Sequence, residues 1–120
     1  MVSLSIGAVS LDCHDHHQLA TFYRALLGGE QLWSTPTSAG VRCGHHVLVM
    51  HHVDDYDAPS WPGSAILHLD LVGEADIEVL TRYAVTLGAR VADHQPSRGW
   101  VVMLDPADHP FCITPFSPGV

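Results

Sequence analysis

Lysine is absent from this chain, and five arginines stand against 13 acidic residues, for a formal net charge of −8. The arginines form no cluster, so the basic stripe that nucleic acid demands is missing and nucleic acid is excluded as a partner. Cysteine is scarce: Cys13, Cys43 and Cys112 are odd in number, far apart and without a CxxC pair. That argues against a disulfide framework and thiol redox chemistry, and it agrees with a reducing, cytoplasmic compartment. Long apolar runs are missing too. None approaches the ~18 residues of a membrane span, and the N-terminus lacks the basic region and apolar core of a signal peptide. The chain also has no Gly-rich phosphate loop and no GxSxG elbow, which leaves nucleotide hydrolysis and serine esterase chemistry without support.

What remains is a compact globular composition. The 120 residues fit one domain, 47% of them are hydrophobic and only 15% charged, and the mean hydropathy is +0.15, values that rule out a disordered chain. So little charge leaves apolar surface to cover, and part of it is expected to meet a second copy in a homodimer. Histidine is abundant at ten residues: His14, the pairs His16–His17, His45–His46 and His51–His52, then His68, His94 and His109. Most of them read as surface or loop histidines.

The most informative stretch is Ile66-Leu67-His68-Leu69-Asp70-Leu71. Its alternation predicts a strand with Leu67, Leu69 and Leu71 on one face and Ile66, His68 and Asp70 on the other, since successive strand side chains point to opposite sides. Two metal-competent groups thus share one face of an otherwise apolar strand. They either satisfy each other in a polar slot or line a pocket.

Around that strand the chain reads as a repeat. Residues 4–11 predict a strand with Ile6, Ala8 and Ser10 on one face; Asp12-Cys13-His14-Asp15 breaks it, and Asp15 is placed to cap a helix over 16–27 that ends at Gly28-Gly29. Capping explains the carboxylate among His14, His16 and His17 without a metal, and the junction is expected to be exposed. Strands follow over 30–33, 39–43 and 47–53, and the segment 54–63, with Pro59 and Pro62, reads as an ordered linker. The second half repeats the order: a strand over 66–71, a helix over 76–87 with Ile77, Leu80, Tyr83, Ala84 and Leu87 on one stripe, then strands over 90–93, 100–104 and 110–115. Leu11, Tyr23, Leu27 and Gly28 return as Leu71, Tyr83, Leu87 and Gly88, each 60 positions later. One constant offset marks a duplicated unit. Among the remaining side chains, Trp33, Trp61 and Trp100 are the large aromatic surfaces, and Arg42 and Arg98 are either solvated or available to orient an anionic ligand. His109 is assigned to hydrogen bonding within the Asp105-Pro106 turn.

This βαβββ order resembles the vicinal oxygen chelate superfamily, in particular its glyoxalase-like and bleomycin-resistance-like members. The likeness is carried by Leu19-Ala20-Thr21-Phe22-Tyr23 through Leu26-Leu27-Gly28-Gly29, by His68-Leu69-Asp70-Leu71, by Leu87-Gly88-Ala89, and by Asp105-Pro106 leading into Phe111-Cys112-Ile113. The resemblance implies an α+β fold in which two βαβββ modules, residues 1–54 and 65–120 joined by a linker over 55–64, form one curved, half-open mixed sheet with a concave ligand cavity. It leaves open whether the modules pair within one chain or are exchanged between two. Ligands for a divalent metal are implied on the first and last strand of each module. Here those positions carry Ala8, His51 (or His52 one register step away), His68, and Cys112 where a glutamate is usual. Alanine cannot ligate, and sulfur in place of a carboxylate argues against a hard cation, which leaves His51, His68 and Cys112 for zinc, iron, nickel or cobalt. Ser10, Asp70 and Trp100 are assigned to the cavity wall. Two functions stay open: a metal-dependent lyase, isomerase or dioxygenase acting on a small molecule, though not a standard glyoxalase I, or a metal-free protein that sequesters a drug or metabolite.

Overall fold

The computed structural model describes residues 2–65 and 67–115. The chain divides into two compact units, Met1–Tyr56 and Asp57–Val120, and each is taken by itself. The first contains β1 (Val9–Cys13), α1 (His16–Leu27), β2 (Glu30–Ser34), β3 (Ser38–Cys43) and β4 (His46–His52); the second contains β5 (Leu69–Leu71), α2 (Ile77–Thr86), β6 (Arg90–Val91), β7 (Val101–Leu104) and β8 (Pro110–Ile113). The two sheets have the same topology, β1-β4-β3-β2 and β5-β8-β7-β6. In each, the first strand runs parallel to the last and the other neighbours are antiparallel. The expected α+β fold of two βαβββ modules is therefore present, each module contributing an open, mixed sheet of four strands.

Local chemistry explains the first module. The Asp15 side chain accepts a hydrogen bond from the backbone N–H of Gln18 at 3.0 Å, which satisfies one of the free amides of the first turn of α1. Gly28, at φ 64°, turns the chain out of the helix, and the Gly29 amide donates to the Arg24 carbonyl at 2.8 Å. The buried side of α1 comprises His16, Leu19, Ala20, Phe22 and Tyr23, and it packs on β3 and β4, where Ala39, Val41, Leu48 and Met50 are buried. Phe22 and Tyr23 meet edge to face at 4.9 Å. Gly40 has a separate reason to lack a side chain: the Trp33 ring lies over it, 2.4 Å from where a Cβ would stand. That indole is held by its N–H, which donates to the Ser38 hydroxyl at 3.0 Å.

Three expectations shift. The first strand begins at Val9 rather than residue 4 and continues through Cys13, since its parallel ladder with β4 runs only from Val9–Leu48 to Cys13–His52. The Asp12-Cys13 pair does not break the strand: Cys13 is fully buried and its carbonyl accepts from the Val53 amide at 2.9 Å. In α2 only Ala84 is buried, and Tyr83 is 48% exposed where its counterpart Tyr23 is 1% exposed. The strands beside α2 are shorter, three residues in β5 and two in β6, so less of the helix is covered. Ile66, placed by its alternation at the head of the fifth strand, lies outside the described residues.

The cap provides a direct check. Replacing Asp15→Ala should cost about 1 kcal/mol in urea unfolding, whereas Gln18→Ala should not reproduce that loss, since the bond uses the Gln18 backbone.

Candidate functional site

Register builds the site in the second unit. β5 pairs with β8 so that Asp70 stands opposite Cys112, with Leu69 opposite Phe111 and Leu71 opposite Ile113. His68 lies two residues before Asp70, and hence on the same face. The Leu and Phe partners take the other face, where Phe111 and Ile113 are buried. The polar face brings three donors together: His68 Nδ1 to Asp70 Oδ1 at 3.0 Å and Cys112 Sγ to His68 Nδ1 at 3.8 Å, with all three ligand atoms within 4.8 Å of one another. Among the described residues this is the one group of three or more such side chains close enough to hold a metal ion.

The environment of the trio is uneven. Cys112 is 4% exposed and packs with Ala92 and Val102, against which Trp61 and Leu104 lie. His68 and Asp70 face outward. Burial, then the negative charge of Asp70 and the hydrogen bond to it, push the Cys112 thiol up to about 11, so it stays protonated at neutral pH. The Nδ1–H of His68 donates to Asp70, which fixes the tautomer. In front of the trio is a cavity of about 300 Å³ whose walls include Trp61, Trp100, Pro96, Val102 and Thr114. Trp61 meets the His68 ring nearly edge-on, at 6.4 Å and 78°, and its own N–H is anchored on the His94 carbonyl at 3.0 Å. Asp70 and Trp100, assigned from the sequence to a cavity wall, both line this one.

The first unit holds the other named residues. The offset of 60 that makes Gly88 the counterpart of Gly28 makes Ala8 and Ser10 the counterparts of His68 and Asp70. Ser10, which is exposed, stands opposite Val49, so Val49 occupies the place that Cys112 takes in the second unit. The equivalent trio is therefore Ala8, Ser10 and Val49, without a strong metal ligand. His51 sits two residues beyond Val49, opposite Asp12 and Ser38, with its ring unpaired among the described residues. His52 is fully engaged: Nδ1 donates to the His14 carbonyl at 2.6 Å and Nε2 to Asp54 Oδ1 at 2.8 Å.

Further histidines gather around it. The rings of His14 and His16 lie 5.8 and 6.0 Å from that of His52, and His17 stacks at 4.0 Å on His16. His16 is buried rather than exposed as expected, its Nε2 donating to the Thr35 carbonyl at 2.8 Å. The capping role of Asp15 stands. The His109 turn also holds, through the main chain: the amides of Ala107 and His109 donate to Asp105 Oδ1 at 2.8 and 3.0 Å. Asp105 is 1% exposed, a buried structural carboxylate that sequence reading missed although the Asp-Pro turn signalled it.

A family profile described as "Glyoxalase-like domain" matches residues 8–114. The chain belongs to the glyoxalase-like domain family. Solved structures agree on the fold of this glyoxalase-like chain. A fosfomycin resistance protein, FosX, from Listeria monocytogenes aligns at 14% identity with a TM-score of 0.74, covering 99% of this chain and 98% of that one. A glyoxalase/bleomycin resistance protein/dioxygenase family enzyme from Burkholderia phytofirmans PsJN aligns at 16% and 0.71, covering 88% and 94%. A glyoxalase-related enzyme from Fulvimarina pelagi aligns at 22% and 0.66, covering 91% and 86%. The glyoxalase-like resemblance read from the sequence is thus borne out for the family and the fold. A comparison with curated proteins finds no match.

The His52 contacts generate a pH prediction. The bond to Asp54, reinforced by the bond to the His14 carbonyl, holds His52 above the ordinary imidazole range, and burial opposes this. A raised value means that the stabilisation is fully present below the unfolded value of ~6.5 and is lost as pH rises through the folded value. NMR titration should find His52 above ~6.5, and Asp54→Asn should bring it down; an unchanged His52 in that variant would contradict the assignment.

Proposed function

We propose that this glyoxalase-like chain binds a small molecule in the Trp61–Trp100 cavity, with a divalent transition metal held by His68, Asp70 and Cys112. The observation that carries this is the convergence of an imidazole, a carboxylate and a thiol at the cavity, all within 4.8 Å. The donor set fits such an ion. Bonds of about 2.0–2.3 Å in a tetrahedral site require neighbouring donors roughly 3.3–3.7 Å apart, and the separations of 3.0 and 3.8 Å bracket that range. One nitrogen, one oxygen and one sulfur suit zinc, iron, nickel or cobalt better than magnesium or calcium. Such an ion supplies Lewis acidity, polarising an oxygen of the ligand or lowering the pKa of a coordinated water.

The remaining work belongs to the protein. Asp70 holds the His68 Nδ1 proton in the metal-free site and is the local proton acceptor. The indoles of Trp61 and Trp100 offer flat apolar surface to the ligand and displace water beside the donors. With one end apolar and the other rich in donors, the cavity suits a planar molecule carrying adjacent oxygens, and the reaction class would be lyase, isomerase or dioxygenase. The burial of Cys112 favours a second reading. A thiol raised to about 11 is held by its proton at neutral pH, which supports a metal-free cavity that sequesters a drug or metabolite.

Metal content of untagged protein decides between them. About one transition-metal ion per chain by plasma mass spectrometry, lost in His68→Ala and in Asp70→Asn, is expected from this donor set; His51→Ala reads whether the first unit adds a ligand. Because the Cys112 proton must leave, apparent affinity should tighten by about tenfold per pH unit near neutrality and lose that slope in Cys112→Ser. Protein that holds no metal and takes none up on addition would leave the sequestration reading.

The proposed assembly is a homodimer in the cytoplasm. Residues 2–8 support it: they lie outside any strand, and Val2, Leu4 and Ile6 are 91%, 96% and 92% exposed, an alternating apolar edge that invites strand addition. Removing residues 1–7 should convert the protein to monomer in sedimentation velocity. A monomer before truncation would end this part of the proposal.

A further inference from the structure

We propose that an open groove between α2 and the segment 91–101 binds a small organic monoanion with an apolar body. The groove measures about 510 Å³, larger than the cavity at the donor trio, and nothing in the proposed function uses it. Two of the chain's five arginines line it, Arg82 from α2 and Arg98 from the turn before β7. Arg90 is committed to Asp108, whereas Arg82 and Arg98 form no ion pair among the described residues. In a chain with 13 acidic residues and a net charge of −8, two separate elements thus bring unpaired guanidiniums to one groove. Glu78, a helical turn before Arg82 and on the same wall, is not paired with it.

Two further features point to a ligand rather than solvent. Thr81, between the two α2 charges, lines the groove, and its Oγ is the one buried side-chain polar atom without a partner among the described residues. A hydroxyl in that state gains from an acceptor delivered beside it. Beside the polar Gln95 and Ser97, the wall offers apolar surface open to solvent: Val91 is 45% and Trp100 41% exposed. A guanidinium takes a carboxylate through paired N–H bonds, and the indole and valine take the body of the same molecule. With Glu78 the groove carries a net charge of +1, which a monoanion neutralises. The site is distinct from the metal-competent trio, sharing only Trp100 with its cavity.

The test is calorimetric titration with 2-naphthoate and its neutral analogue 2-naphthamide. The acid should bind with one-to-one stoichiometry and the amide at least about tenfold more weakly, as loss of a charge-assisted hydrogen bond requires. Arg82→Gln and Arg98→Gln should each weaken the acid and the double variant abolish its binding. Both arginines are exposed, so folding is not at stake. Glu78→Gln should tighten binding, and His68→Ala should leave it unchanged. Absence of binding, equal affinity for acid and amide, or loss in His68→Ala with retention in the double arginine variant would each overturn the proposal, the last by placing the probe in the other cavity.

Discussion

Parallel pairing of the first and last strand governs both units. A parallel ladder cannot be closed by a hairpin, so each module needs a crossover, and the helix that supplies it covers one face of the sheet. The opposite face then stays free along the first strand. In the second unit that freedom is spent on polar groups, because the register sets Asp70 beside Cys112 and leaves His68 one pleat away. A slip by a single residue would move His68 and Asp70 to the helix-covered face and end the constellation.

The duplication makes the specialisation visible. Ala8, Ser10 and Val49 hold in the first unit the places of His68, Asp70 and Cys112 in the second, on ladders of the same kind. The backbone architecture was kept while the donors are confined to one copy. The first unit assigns its histidines to a different task. His52 bridges the β1–α1 junction to the end of β4 through His14 and Asp54, and His16 closes onto the Thr35 carbonyl. These are bonds that hold loops in place, and they leave His52 with no free nitrogen for an ion.

Much of this was legible in the chain. The alternation over 67–71 identified which face His68 and Asp70 share, and the offset of 60 gave the duplicated topology, because both are local or periodic properties. What local pattern cannot carry is register across strands. The resemblance suggested His51 as the partner of Ala8, whereas the ladder sets Val49 at the position of Cys112 and His51 two residues further on. Asp70 was read as wall rather than ligand for the same reason: its approach to Cys112 depends on a pairing between residues 42 positions apart. The burial of Asp105 depends in turn on how the turn after β7 folds back on its own amides.

Under the proposed function, a proton and a metal ion would compete for the same atoms of the trio. In the metal-free state Asp70 accepts from His68 Nδ1, and its charge, together with burial, keeps the Cys112 thiol protonated. Burial and the charge of Asp70 oppose ionisation of the thiol, and a bound cation would offset both. It would take over the negative charge of Asp70, compensate the buried thiolate, and release His68 Nδ1 from its carboxylate. The burial that makes Cys112 a poor nucleophile also lowers the local dielectric, so that a compensated thiolate there is strongly held. A buried sulfur beside an outward-facing imidazole and carboxylate is therefore an arrangement whose chemistry would be set by which cation, proton or metal, it meets.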